Sequence, residues 1–201
     1  MRTKAILTSL LLVTTFALRA GQPARFTAAK TDNTVTIHGT SSLHEWEMKG
    51  TAIGGAIETD PELWKNTGDK PAAVTVSIPV ASVRSEHDRM DRIMRDALKA
   101  ATNPNIQFEM TTASLLKTTS ADAFVVRSNG KLTIAGVTRD VTLDVTVQRT
   151  GDRRYVLSGE APIRMTDYGI KPPVAMMGTL KTGDAVTVSF RWVVEQSAER
   201  S

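Results

Sequence analysis

The residues that could do chemistry in this chain are few. It has three histidines, His38, His44 and His87, and no cysteine. His38 and His44 stand six positions apart, and His87 precedes Asp88 and Asp91. None of these spacings is the close pair, two ligands one helical turn apart, that brings two imidazoles onto one metal ion. Ser42 lies two residues before His44, but neighbours in a turn do not align a hydroxyl with an imidazole acting as its base. No G-x-S-x-G elbow occurs. Asp167 beside Tyr168 could act as an acid, yet the sequence offers it no evident partner. The chemistry on display favours binding over catalysis: no catalytic residue, metal ligand or cofactor is expected.

The elements that must position any site are mostly strands. In the stretch Leu132-Thr133-Ile134-Ala135-Gly136-Val137-Thr138-Arg139-Asp140-Val141-Thr142-Leu143 two alternating apolar/polar runs flank a glycine-containing turn, which predicts a β-hairpin with one face buried. Similar alternation predicts strands over residues 34–38, 46–57, 74–80, 106–110, 124–134, 141–147, 155–165 and 186–194, with a short one at 25–28. Gly54 and Gly55 predict a bulge or bend in the 46–57 strand, and Pro79 a strand end or edge. Residues 60–64 read as a loop. One helix interrupts the pattern, at residues 88–99: Met90, Ile93, Met94, Ala97 and Leu98 share a face, and Arg89, Asp91, Arg92, Arg95 and Asp96 share the opposite, solvated one. Asn103-Pro104-Asn105 stops it. The fold class is therefore all-β with one short helical excursion. Meander connectivity favours an eight-stranded antiparallel up-and-down barrel over a Greek-key sandwich. A barrel of that size is just wide enough to hold one small ligand.

Residues 1–20 read as a signal peptide: Arg2 and Lys4 precede an apolar run too short to span a bilayer, and Leu18-Arg19-Ala20 ends on a small residue. Removing its three basic residues leaves 22 basic against 21 acidic, a net charge of +1 in place of +4. The basic balance thus belongs to the leader, and no cluster of Lys and Arg interleaved with aromatics marks a nucleic-acid surface. With no cysteine the chain can carry neither a disulfide nor an acylated lipobox, so the core alone must hold it together. The expected organisation is a polar lead-in at 21–32, a barrel domain at 26–195 and a polar tail at 196–201, in a periplasmic protein without stable membrane insertion.

With the strands laid out, the chain resembles the YceI-like family of secreted bacterial lipid-binding proteins over nearly all of residues 26–195. Four stretches carry the resemblance: Gly39-Thr40-Ser41-Ser42-Leu43-His44-Glu45-Trp46, Asn103-Pro104-Asn105-Ile106-Gln107-Phe108, the hairpin Leu132 to Leu143, and Met165-Thr166-Asp167-Tyr168-Gly169-Ile170. Ala135 and Asp140 stand where the family's hairpin often has a basic residue and a proline. The resemblance implies a lipocalin-like barrel, extended by a helical segment, around an elongated apolar cavity for a polyisoprenoid, an isoprenoid quinone or a fatty-acid-like amphiphile. It also singles out His44, which lies in a family-like stretch and could hydrogen-bond a head group.

Inward positions of the predicted strands are the candidate ligand contacts: Val76, Ile78, Phe108, Met110, Phe124, Leu132, Leu143, Phe190 and Trp192, with Ile134 and Val145 beside them. Each could equally be plain core; together they make a cavity plausible, because ligand pockets are mostly apolar. Met165, Met176 and Met177 around a proline-rich loop, with Tyr168 nearby, suit an adaptable mouth or a loop packed on the barrel end. The expected partner is an apolar lipid, held by a monomer or homodimer. Two competing readings stay open: an envelope stress or structural interaction protein with a filled core, and a periplasmic enzyme using His44.

Overall fold

The computed structural model describes residues 24–59, 73–175 and 179–197. The signal peptide read at 1–20, the loop read at 60–64, and Met176 and Met177 lie outside the described residues.

Among the described residues, eleven strands and one α-helix follow each other: β1 (Ala24–Ala28), β2 (Thr34–Ser41), β3 (Glu45–Gly50), β4 (Gly54–Thr59), β5 (Ala73–Pro79), α1 (Asp88–Ala97), β6 (Asn105–Ser120), β7 (Ala123–Ile134), β8 (Val137–Gly151), β9 (Arg154–Arg164), β10 (Val174–Ala175) and β11 (Leu180–Gln196). All pairings are antiparallel. Eight strands close a barrel in the order β1-β4-β5-β6-β7-β8-β9-β11, and β11 returns to β1 through Phe26↔Gln196, Thr27↔Glu195 and Ala28↔Val194. β2 and β3 are upward continuations of β1 and β4: β11 pairs β1 with its last residues and β2 with Thr182 to Arg191. The all-β barrel with a single helical excursion predicted from the alternation is the observed fold.

The hairpin at its centre is as predicted, with Ile134 opposite Val137. Ala135 (φ 51°) and Gly136 (φ 83°) are both left-handed, as a two-residue type I′ turn requires to match the twist of its strands. Elsewhere the alternation misleads. The strand predicted over 46–57 is two, β3 and β4, and the break falls at 51–53, ahead of Gly54 and Gly55. There Ile53 turns into the core beside Val83, which packs against Gly50. β6 runs ten residues beyond the predicted Met110, because bulges between Met110 and Thr112 and between Leu115 and Lys117 shift the inward face from Met110 to Ala113 and Leu115.

The barrel is packed at one end and hollow at the other. At the packed end Phe26, Val35, Ile57, Val126, Val145, Val147, Leu157, Trp192 and Val194 form one buried cluster, with the Phe26 and Tyr155 rings edge to face at 5.3 Å. At the other end the strands part along two seams. β5 stops at Pro79, so the outer edge of β3 meets only the bridge between Lys49 and Arg84. β8 and β9 pair only from Val145↔Gly159 to Gly151↔Arg154, leaving the upper halves of both apart. A 3₁₀ turn, Met165–Tyr168, fills the second seam with buried Tyr168, followed by buried Ile170. Helix α1 covers the hollow near the first.

Gly39 on β2 lies directly under the Trp46 ring, where a Cβ would overlap the indole. Gly39→Ala is therefore expected to destabilise by about 1–3 kcal/mol, as overpacked positions do. The indole would also be displaced. A lowered denaturation midpoint with a shifted tryptophan emission checks both.

Candidate functional site

The hollow is a cavity of about 390 Å³. Its floor and walls are side chains of several strands: Ile37 of β2, Trp46 and Met48 of β3, Ile106 of β6, Ile134 of β7, Ile163 of β9, and Val186 and Val188 of β11. Met165, Ile170, Pro173 and Leu180 line it from the loop side. Helix α1 contributes Met90, Ile93, Met94, Ala97 and Leu98, the apolar face that periodicity alone assigned to it. These helical side chains are only half-buried, although they point into the molecule: they face open space where a packed core would present atoms. Among the described residues, the polar side chains in the lining are Ser41, His44, His87, Arg89 and Thr182.

The helix is anchored at its first turn. Asp91, read from the sequence as part of a solvated face, is 3% exposed. Its carboxylate accepts hydrogen bonds from the Ser85 backbone N–H (2.7 Å) and the Ser85 hydroxyl (2.8 Å), with Arg84 at 3.5 Å. Arg84 in turn exchanges two backbone hydrogen bonds with Lys49 of β3, both 2.7 Å. The hydrogen bond from the Ser85 backbone N–H is the main reason the Asp91 carboxyl titrates below its usual range, ahead of the burial that opposes it; the Ser85 hydroxyl, Arg84 and Arg95 reinforce the lowering. At its far end the helix closes with Lys99 in a left-handed conformation (φ 52°), the Ala100 N–H bonding back to the Arg95 carbonyl at 2.9 Å.

The loops opposite the helix are tied together. The Ser42 N–H donates to the Lys181 carbonyl (2.9 Å), its hydroxyl donates to the Thr179 carbonyl (3.1 Å), and the Lys181 N–H donates to the same hydroxyl (3.2 Å). The Ser42 hydroxyl is thus engaged with backbone and not with His44. Asp184 holds the 3₁₀ turn to β11 by accepting from the Thr166 N–H (2.9 Å) and hydroxyl (2.8 Å), and these bonds, with Arg164, lower its carboxyl's pKa against a partial burial that opposes it. Burial pushes the Tyr168 phenol up, and the Asp167 charge adds to this, so it stays protonated as a wedge in the seam. Asp167 itself is exposed, its carbonyl accepting from Arg139 at 2.8 Å.

Of the candidate contacts read from the sequence, His44 and Met165 line the cavity. Val76, Ile78, Met110, Phe124, Leu143 and Phe190 are half-buried against the packed-end cluster, and Trp192 is buried within it. Leu132 and Tyr168 belong to the cluster around the second seam. Phe108 is half-buried, its ring against Gly130. These residues form the barrel's solid part, below or beside the hollow. His38 is exposed and lies 3.3 Å from Glu47, while His87, set aside as structural, sits on the cavity rim with Arg89. No group of three or more His, Asp or Glu side chains that could hold a metal ion comes together among the described residues. Sequence reasoning missed the helix face as a lining. The available signal was the helix itself, an amphipathic segment in an all-β chain whose apolar face needed something to cover.

The YceI-like domain model matches residues 24–194, the whole of this barrel and its helix. The chain belongs to the YceI-like family. Solved structures share the fold. A polyisoprenoid-binding domain from Saccharophagus degradans, implicated in plant cell wall breakdown, superposes with a TM-score of 0.68 at 16% identity, covering 88% of this chain and 100% of that one. BcnA of Burkholderia cenocepacia gives 0.62 at 20% identity, over 82% and 99% of the two chains. The YCEI protein of Campylobacter jejuni gives 0.57 at 20% identity, over 75% and 85%. No curated protein matches the chain in sequence.

Because the depressed Asp91 pKa belongs to the folded state, its contribution to stability is present above the unfolded-state value of about 3.9 and is lost as pH falls through the folded one. Asp91→Asn is therefore expected to lower the melting temperature at pH 7. The gap to the wild type should narrow as pH falls below about 4, and thermal unfolding of both proteins from pH 7 to pH 3 measures it.

Proposed function

We propose that this protein is a binding or carrier protein for an apolar-tailed lipid, and that it works in the periplasm after its signal peptide is removed. One observation carries the reading: the apolar hollow under α1, whose walls are almost entirely aliphatic, methionine and tryptophan side chains. At about 390 Å³ it lies at the lower end of the roughly 300–1,000 Å³ that ligand pockets span. An alkyl chain needs no specific contact to stay in such a space, since each buried methylene contributes about 0.8 kcal/mol. The polyisoprenoid-binding relative from Saccharophagus degradans supports a lipid as the cargo class. The mechanism is storage: the tail lies between α1 and the splayed strands, and the polar end stays at the rim. The family and the few polar groups in the hollow support a binding role over an enzymatic one. No helix among the described residues is long and apolar enough to cross a membrane, which fits a carrier that meets its membranes only in passing.

Lipid extraction and mass spectrometry of the chain, expressed with its own leader and purified from the periplasm, tests this directly. One prenyl or acyl species near one per protein is the expected result. A lipid-free protein that also refuses added quinones and fatty acids would favour a partner-binding role. Filling the hollow should separate fold from function: Ile163→Trp, on the β9 wall, is expected to reduce lipid retention at least tenfold while leaving the far-ultraviolet circular dichroism of the barrel unchanged.

A further inference from the structure

We propose that the hollow selects a single-chain amphiphile with an acidic head group. The inference rests on the binding role just described and narrows its cargo.

The tail sits in the hollow of about 390 Å³. The tail cannot thread deeper. Below the hollow the barrel is filled by Val35, Val126 and Trp192, each no more than 3% exposed, and the second void, at the packed end, measures only about 20 Å³.

The head group comes from the rim. His44, on the turn between β2 and β3, and His87 and Arg89, at the start of α1, all line the same cavity and are all exposed. None of the three side chains has an ion-pair or hydrogen-bond partner among the described residues, whereas the nearby Arg84 faces Asp91. Glu45, Glu86 and Asp88 adjoin them in sequence, but no carboxylate among the described residues lines the cavity. An apolar slot whose only full charge is an unneutralised guanidinium, flanked by two imidazoles, suits an amphiphile ending in an anion. Arginine's planar fork can engage a carboxylate or a phosphate with two parallel hydrogen bonds.

Calorimetric titration of the delipidated protein with dodecanoate, dodecyl phosphate and dodecanol tests it. Either anion should bind about tenfold or more tighter than dodecanol, the preferred one distinguishing carboxylate from phosphate. Arg89→Gln should lower the affinity of the anions to that of the alcohol. Equal binding of dodecanol and the anions, or an acid preference that survives in Arg89→Gln, would overturn the head-group assignment. Failure of every amphiphile to bind would sink the carrier reading itself, and this inference with it.

Discussion

The structure turns on an incomplete ladder. Backbone hydrogen bonds close eight strands into a barrel at one end, where β1 joins β4 to β11. At the other end β5 stops at Pro79, a residue that fixes its own φ and has no N–H to donate. The edge of β3 is then left with one bridge to Arg84. An unpaired, partly apolar edge is costly to leave in water. The segment that departs at Pro79 compensates for it by returning as a 3₁₀ turn at Val80–Ser82, the bridge at Arg84 and helix α1. The cavity lies at the end where the ladder is incomplete; at the packed end Val35, Trp192 and Val194 lie within one buried cluster.

The charged and polar groups of the upper end serve this architecture before they serve any ligand. Asp91 and Ser85 hold the helix start, Arg84 and Lys49 join it to β3, and Asp184 pins the 3₁₀ turn that seals the other seam. With these groups engaged in structure, His44, His87 and Arg89 are the titratable side chains among the described residues that line the opening. The division of labour is simple: carboxylates build the frame, and cations or imidazoles face the opening.

Much of the fold was legible because strand faces alternate with period two and the core imposes that alternation. The hairpin at Ile134 to Val137 and the stop at Pro79 needed nothing beyond local rules. Legibility failed where a bulge resets the face, as in β6 after Met110, and where β3 and β4 look continuous because the break at 51–53 is set by Ile53 and Val83 packing from afar. The site was harder. An inward apolar residue has the same pattern whether it meets another side chain or a void, so Phe108, Leu143 and Phe190 could not be told apart from Ile106, Ile163 and Val188. What separates them is height along the barrel relative to the end of β5, a tertiary quantity. Asp91 illustrates the same limit, since only the path of residues 80–87 shows that its carboxylate is enclosed.

The central claim is that an alkyl tail lies between α1 and the β3 wall, beside Trp46. The most direct test is quenching of Trp46 fluorescence by fatty acids carrying bromine at successive positions along the chain, read as the difference between the wild type and Trp46→Phe so that the other tryptophans cancel. The account predicts strong quenching in that difference signal, with a maximum at mid-chain positions. Bound acid that leaves Trp46 unquenched at every bromine position would contradict it and place the tail elsewhere.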